Sequence, residues 1–415
     1  MKSRFLLFAL VLGLVPMLAS ATVSEREVKE LRDQISALSA RLAALEAVSQ
    51  TADEIVSAPG RETGAVKSQI SADSGSWADA ISFKGDFRYR YDRIDQDGSD
   101  ARNRQRIRAR PALTAIVTDD VRAGFGLATG GDDPVSTNQT LGAGGSSKGV
   151  VLDLAYFQWS GIENLKILGG KFKNPMYRPG GSSLVWDGDW RPEGLAATYS
   201  GGNLFGSAYA SWLEGDSRRG EEIAFALQGG YAAELTSDMA LTLGAGYYQA
   251  NLAGREPLFD DSDSFGNSLA ADGTYLSDFH IVSLMAEAKF ALGDWPASVL
   301  LDYARNLDAD AYDTGWSIGG TLGKASSPGS WGFSYAYQDL EADAVIGLLT
   351  DSDWGGGGTD RRGHLLTASY AIARNWSLKL SYFLNETGED AVDRGDAGAS
   401  ERDYDRLLVD LGFKY

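Results

Sequence analysis

The chain has 415 residues, and its 38 lysines and arginines against 57 aspartates and glutamates give a formal net charge of −19. That balance excludes a nucleic-acid surface, which needs a basic footprint. The absence of cysteine excludes a disulfide framework and thiolate metal sites, and the two histidines, His280 and His364, leave little for an imidazole-based centre, so no metal and no cofactor are expected.

Residues 1–21 read as a secretory signal: Lys2 and Arg4 lead an apolar stretch over 5–18, and Ala19, Ser20 and Ala21 supply a small-residue cleavage site. Beyond it no run of about eighteen apolar residues occurs, so no further membrane-crossing helix is expected. Residues 22–49 carry a helical pattern. Val28, Leu31, Ile35, Leu38, Leu42 and Leu45 repeat at spacings of three and four, the seam of a coiled coil. Glu27 with Arg32 and Arg41 with Glu46 supply matching flanking charges. A coiled coil implies partner copies of the same chain; β-branched residues alternating with leucine favour two, and Leu42 weakens that preference. Residues 50–76, small and polar with Pro59, Gly60, Gly64 and Gly75, read as a linker.

From residue 77 to 415 the period becomes two. Phe83, Phe87, Tyr89 and Tyr91 alternate with Lys84, Asp86, Arg88, Arg90 and Asp92. Trp331, Phe333, Tyr335 and Tyr337 alternate with Gly332, Ser334, Ala336 and Gln338, and similar rows start at Trp376 and Leu407. Segments of about ten residues suit tilted membrane strands. Seven tight turns, near 118–120, 161–164, 201–202, 235–238, 293–296, 326–329 and 374–375, alternate with eight longer connections. The longest of these cover 130–149, 174–193, 251–279, 342–362 and 386–402. Fifteen connections predict an all-β transmembrane barrel of about sixteen antiparallel strands, which must close because an open edge would leave unpaired backbone in lipid.

Arg102, Arg104, Arg106, Arg108 and Arg110 occupy every second position and share one face of a strand, opposite Ile107, Ala109, Pro111 and Leu113. In a lipid-embedded barrel they must face the lumen, since an outward charge at mid-depth costs about 2–4 kcal/mol. Lys84, Arg88 and Arg90 on the preceding strand join them as candidate pore-lining cations. The wall reads two ways, as a structural ladder paired with carboxylates or as a direct path for anions. Candidate acidic partners are Asp187, Asp189 and Glu193, in an aromatic-rich connection suited to folding inward as a constriction. Asp260, Asp261 and Asp263 lack a calcium-loop pattern, and Gly355, Gly356, Gly357 and Gly358 read as a flexible loop tip without a following Lys-Ser/Thr.

The segments GKFKNPMYRPGGSSLVWDGDWRPEG (170–194), RNRQRIRARP (102–111) and FRYRYD (87–92) resemble the putative-porin family of proteobacterial outer membranes, which is similar in architecture to phosphate-selective porins. The resemblance spans the chain. It implies a homotrimer, a constricting third loop, and passive diffusion of small hydrophilic solutes or ions through a barrel in outer-membrane lipid, with the coiled coil in the periplasm. Carried over by position, it adds Lys171 and Lys173 to Asp187 and Asp189 as constriction-loop residues. The terminal aromatic Tyr415 resembles the signal read by the barrel-assembly machinery. The chain lacks the dense lysine cluster of a dedicated phosphate channel. Two other functions compete with the channel. A structural envelope tether would use the barrel only as an anchor. An outer-membrane enzyme would need a nucleophile–base pair, and neither histidine has a serine motif beside it.

Overall fold

The structure, a computed structural model, describes residues 80–215, 220–259, 263–396 and 398–415. The expected signal, the heptad helix from Val28 to Leu45 and the linker lie outside the described residues. Strands β1 (Ile81–Gln96), β2 (Arg102–Ile116), β3 (Val121–Thr129), β4 (Gln139–Thr140), β5 (Val150–Ile162), β6 (Leu165–Lys171), β7 (Glu193–Gly201) and β8 (Leu204–Glu214) form the first half. Strands β9 (Glu222–Thr236), β10 (Met239–Ala250), β11 (Phe279–Leu292), β12 (Trp295–Asn306), β13 (Thr314–Gly323), β14 (Trp331–Leu340), β15 (Arg361–Ala373), β16 (Trp376–Thr387) and β17 (Arg402–Lys414) complete it, with one short helix, α1 (Glu389–Arg394).

All pairings are antiparallel, and β1 bonds to both β2 and β17, so the sheet closes on itself. β4 is a two-residue strand that the 130–149 connection lays against Arg106 and Ile107 of β2, which leaves the sixteen expected barrel strands. The seven tight turns lie where the sequence places them. The seam is sealed at the turn end by Tyr415, whose N–H donates to the Gly85 carbonyl and whose carbonyl accepts from the Gly85 N–H. A Cβ on residue 85 would stand 2.6 Å from the Tyr415 ring, so the bare glycine leaves the ring its place.

Alternation sets two faces. Phe83, Phe125, Phe157, Leu195, Leu227, Leu284, Val299, Ile318 and Tyr335 are exposed on the outside. So broad an apolar outer band has no counterpart on a soluble monomer and matches a lipid-facing belt. At the turn end it finishes in an aromatic girdle: Trp331 stacks on Phe333, Trp376 on Phe413 and Phe83 on Tyr415.

The interior departs from expectation at two connections. Residues 251–259 and 263–278 of one and 341–360 of the other, expected in polar outer loops, fold into the lumen and pack with residues 172–192 in one apolar core. The physical reason is the run Ala344-Val345-Ile346-Gly347-Leu348-Leu349, too apolar to stay in water. Asn267 ties the first of these connections to the second: its Nδ2 donates to the carbonyls of Ala342 and Val345, and its Oδ1 accepts from the Gly347 N–H.

Candidate functional site

Residues 172–192 cross the lumen as a strap. It leaves β6 at Phe172, which is fully buried. The Tyr177 backbone exchanges two hydrogen bonds with the Gln228 side chain on β9, and the Tyr177 hydroxyl donates to Glu287 on β11. Gly180 passes over Leu300 of β12, and Leu184 lies against β13 and β14 beside Gly315. Trp186 and Trp190 stack with ring centroids 5.5 Å apart and meet Tyr209 of β8 and Tyr248 of β10 edge-on. The strap then presents Asp189 to the arginine wall before rejoining the barrel at β7.

The wall's pairing follows from strand register. β1 and β2 set Asp86 opposite Arg110, Arg88 opposite Arg108, Arg90 opposite Arg106 and Asp92 opposite Arg104. Two rungs are complementary and two put like charges face to face, which is unfavourable without counter-charge. β17 and the inward loops supply it. Arg90 is held bidentately by Asp410 of β17, at 2.6 and 2.8 Å, and by Asp353 of the 341–360 segment at 2.7 Å. Arg108 and Arg110 each bridge Asp86 and Asp189. Asp92, fully buried, accepts from Arg104 at 2.5 Å and from both ends of the Arg406 fork at 2.9 and 3.0 Å. Arg106 is left with its nearest carboxylate, Asp92, at 3.7 Å; Arg88 donates to Asn138 and has Asp410 at 3.8 Å; Arg102 has no ion pair among the described residues.

Two loop carboxylates in contact with the wall are strongly charged. Against the burial that would raise them, Arg108 and Arg110 hold Asp189, and Arg90 and Arg406 hold Asp353, below the usual carboxylate range. Their neighbours behave oppositely. Burial, then Asp351 and Asp189, pushes Asp187 up to about 8, and burial followed by Asp353 raises Asp351. Asp187 joins the two inward segments: its N–H donates to the Leu349 carbonyl, and its carboxyl accepts from the N–H groups of Asp189 and Ser352.

The residues expected from sequence are only partly brought together. Asp187 and Asp189 lie on the strap, and Lys173 is exposed on it near Arg191 and Arg110. Lys171 and Glu193 do not lie on it. They are the adjoining ends of β6 and β7, directly paired across the ladder with Nζ 2.5 Å from Oε1, because the ladder continues to the strap's two feet. Lys84 shares the inward face near the turn end without an ion pair among the described residues. The expected glycine tip over 355–358 packs inside the barrel. Sequence reasoning missed Asp351, Asp353, Arg406 and Asp410 as members of the site. The last two could have been found by following the inward alternation of β17.

Among the cavities that the described residues line, two lie at opposite ends of the lumen. The one at the loop end, about 580 Å³, is lined by Arg102, Arg104, Arg106, Arg361 and Arg406 with Asp133 among others. The one at the turn end, about 720 Å³, has the strap's Gly180 in its lining with Lys289, Lys324, Lys379 and a row of Ser and Thr hydroxyls.

The family model described as "Putative porin" matches residues 95–264 and 263–391. The chain belongs to that family. An outer-membrane porin is what the family and the closed barrel together indicate. Among solved structures, OprB of Pseudomonas putida is 13% identical with a TM-score of 0.51, over 80% of this chain and 94% of that one. OmpF of Salmonella typhi, solved with daunomycin, is 13% identical at a TM-score of 0.49, over 81% of this chain and 97% of that one. OmpT of Vibrio cholerae in a trimer form is 13% identical at 0.47, over 81% and 99%. No curated protein matches the chain. The likeness to OprB shows the barrel fold and does not reach the wall's chemistry.

Proposed function

We propose that this porin is a passive, anion-preferring channel for small hydrophilic solutes and ions, narrowed between the β1–β2–β17 arginine wall and the strap. In this reading three copies associate, helped by the heptad helix. One observation carries the anion preference. Among the described residues, the eight arginines Arg88, Arg90, Arg102, Arg104, Arg106, Arg108, Arg110 and Arg406 have between them ion pairs with five carboxylates, Asp86, Asp92, Asp189, Asp353 and Asp410, which leaves a surplus of three positive charges on that wall. The ladder is thus structural and electrostatic at once. Most of its guanidinium groups are fixed by carboxylates, and the surplus sets the field a solute crosses.

The chain's net charge of −19 does not oppose this. Much of the acidic excess lies in outer connections such as those with Asp97 and Asp100, or Asp308, Asp310 and Asp313. Exposed charges are screened within about 8 Å at physiological salt, whereas charges in a confined lumen are screened far less. Passive passage also fits the histidines. His280 Nδ1 pairs with Asp308 at 2.7 Å and His364 Nδ1 with the Tyr335 hydroxyl at 2.9 Å, and neither meets a serine.

The test is reversal potential across a planar bilayer in a KCl gradient. Wild type should select chloride, and Arg106→Gln should move the potential toward potassium more than Arg108→Gln does, because Arg108 is already shared by two carboxylates. A potential unmoved by Arg106→Gln would remove the surplus charge from selectivity.

A further inference from the structure

We propose that the loop-end cavity is a binding station for a small dianion, a solute carrying two negative charges on carboxylate or phosphate oxygens. The proposal rests on the anion-channel reading and goes beyond it by giving the permeating solute a place to stop.

Three guanidinium groups lining this cavity lack a close carboxylate among the described residues: Arg102 and Arg106 from β2, and Arg361 from β15. A guanidinium that lines a cavity without a close counter-charge is costly, so these three groups are poised for oxygens from a solute. Against them the cavity offers Asp100 and Asp133. Asp133 accepts from the Val135 N–H, and burial raises its carboxyl toward the neutral form.

The cavity wall beside Arg361 is kept bare. Gly355, Gly356, Gly357 and Gly358 all have positive φ, from 54° to 97°, a region other residues adopt only with strain. A Cβ at Gly355 would come within 2.8 Å of the Arg361 Cδ, and the Arg361 Nη1 donates to the Gly355 carbonyl. The glycines thus leave room for Arg361 and hold its fork from one side. Arg361 and Arg106 reach in from strands four apart around the barrel, roughly 19 Å of sheet. Both line the same cavity, so a solute with an anionic oxygen group at each end meets both, whereas chloride makes one contact at a time.

The full-length protein in planar bilayers with KCl on both sides tests this. Potassium succinate or inorganic phosphate is titrated into the loop-end compartment, with acetate as the monovalent control. Either dianion should reduce chloride current saturably at concentrations where acetate does not, and the more effective one identifies carboxylate or phosphate as the preferred group. Arg361→Gln should weaken the block about tenfold. Arg102→Gln, which breaks no ion pair among the described residues, should weaken it less and guards against a shifted glycine loop in the first variant. No block by either dianion, or a block unchanged in both variants, overturns the station. A wild-type channel that selects potassium overturns the anion reading beneath it, whereas a chloride-selective channel with no block overturns the station alone.

Discussion

On the wall formed by β17, β1 and β2, the barrel interior is held by charge: guanidinium forks are shared among Asp86, Asp92, Asp189, Asp353 and Asp410. On the facing wall, from β8 to β14, it is held by burial. Trp186, Trp190, Leu184, Ile346 and Leu349 fill the space against Tyr209, Tyr248 and Phe279. The strap joins both sides within the five residues 186–190, with Trp186 and Trp190 on the apolar side and Asp189 on the charged one. The difference teaches how one lumen can be both tightly packed and densely charged. The apolar half fixes the inward loops by buried area, and the charged half holds them by shared guanidinium–carboxylate pairs.

The largest expected effect comes from breaking the charged half at its most buried point. Asp92→Asn leaves Arg406 and Arg104 in the interior without their shared carboxylate, and removing one partner of a buried pair costs about 3–5 kcal/mol. The denaturant midpoint of the refolded barrel should fall accordingly; an unchanged midpoint would mean that water already reaches this cluster. On the apolar half, Trp186→Ala removes a large aromatic, worth about 3–5 kcal/mol in a packed core. Its cost falls on the strap more than on the sixteen-strand ladder, so single-channel conductance should rise and grow noisy while the barrel still resists denaturation by detergent. Unaltered conductance would show that the strap does not set the width.

The two halves were unequally legible. The barrel, its turns and the inward arginines follow from a period of two, a local property that lipid enforces on every strand. The inward course of the strap was readable because its tryptophans and aspartates share one short segment. The second inward segment was not, although Ala344 to Leu349 is an apolar run inside a stretch otherwise read as a polar loop. The chain's partners for that run, Leu184 and Asn267, lie far away in sequence and no period announces them. Asp353 was missed for the same reason: its arginines, Arg90 and Arg406, belong to the first and last strands, and only closure brings them together. Lys171 and Glu193 were placed in the loop because a motif does not say where a ladder ends.

A smaller effect separates pairing from field. In Asp189→Asn, Arg108 and Arg110 keep Asp86, so the fold should survive at a cost of about 1–3 kcal/mol. The wall gains net positive charge beside the strap, and the reversal potential should move further toward chloride. A shift toward potassium instead would mean that Asp189 organises the arginines more than it neutralises them.

The smallest effect lies where the two inward segments meet. Asp187 is held near 8 by burial and by Asp351 and Asp189, whereas in an unfolded chain it would titrate near 4. The native state therefore binds the extra proton between those values, and the contribution of this group to stability falls as pH rises from about 4 to about 8. Below that window both states are protonated and the group is neutral to stability; above it the carboxylate must stand buried beside Asp351. Asp187→Asn removes the charge and keeps one of the two oxygens that accept from the Asp189 and Ser352 N–H groups. Relative to wild type, the variant should gain about 1–3 kcal/mol between pH 5 and pH 9. The apolar contacts around Leu184 and Ile346 carry no such dependence, so the pH profile reads the charged seam of the plug alone. Parallel denaturation curves for the two proteins across pH 5 to 9 would place the Asp187 carboxyl in water and leave apolar packing as what holds the inward segments together.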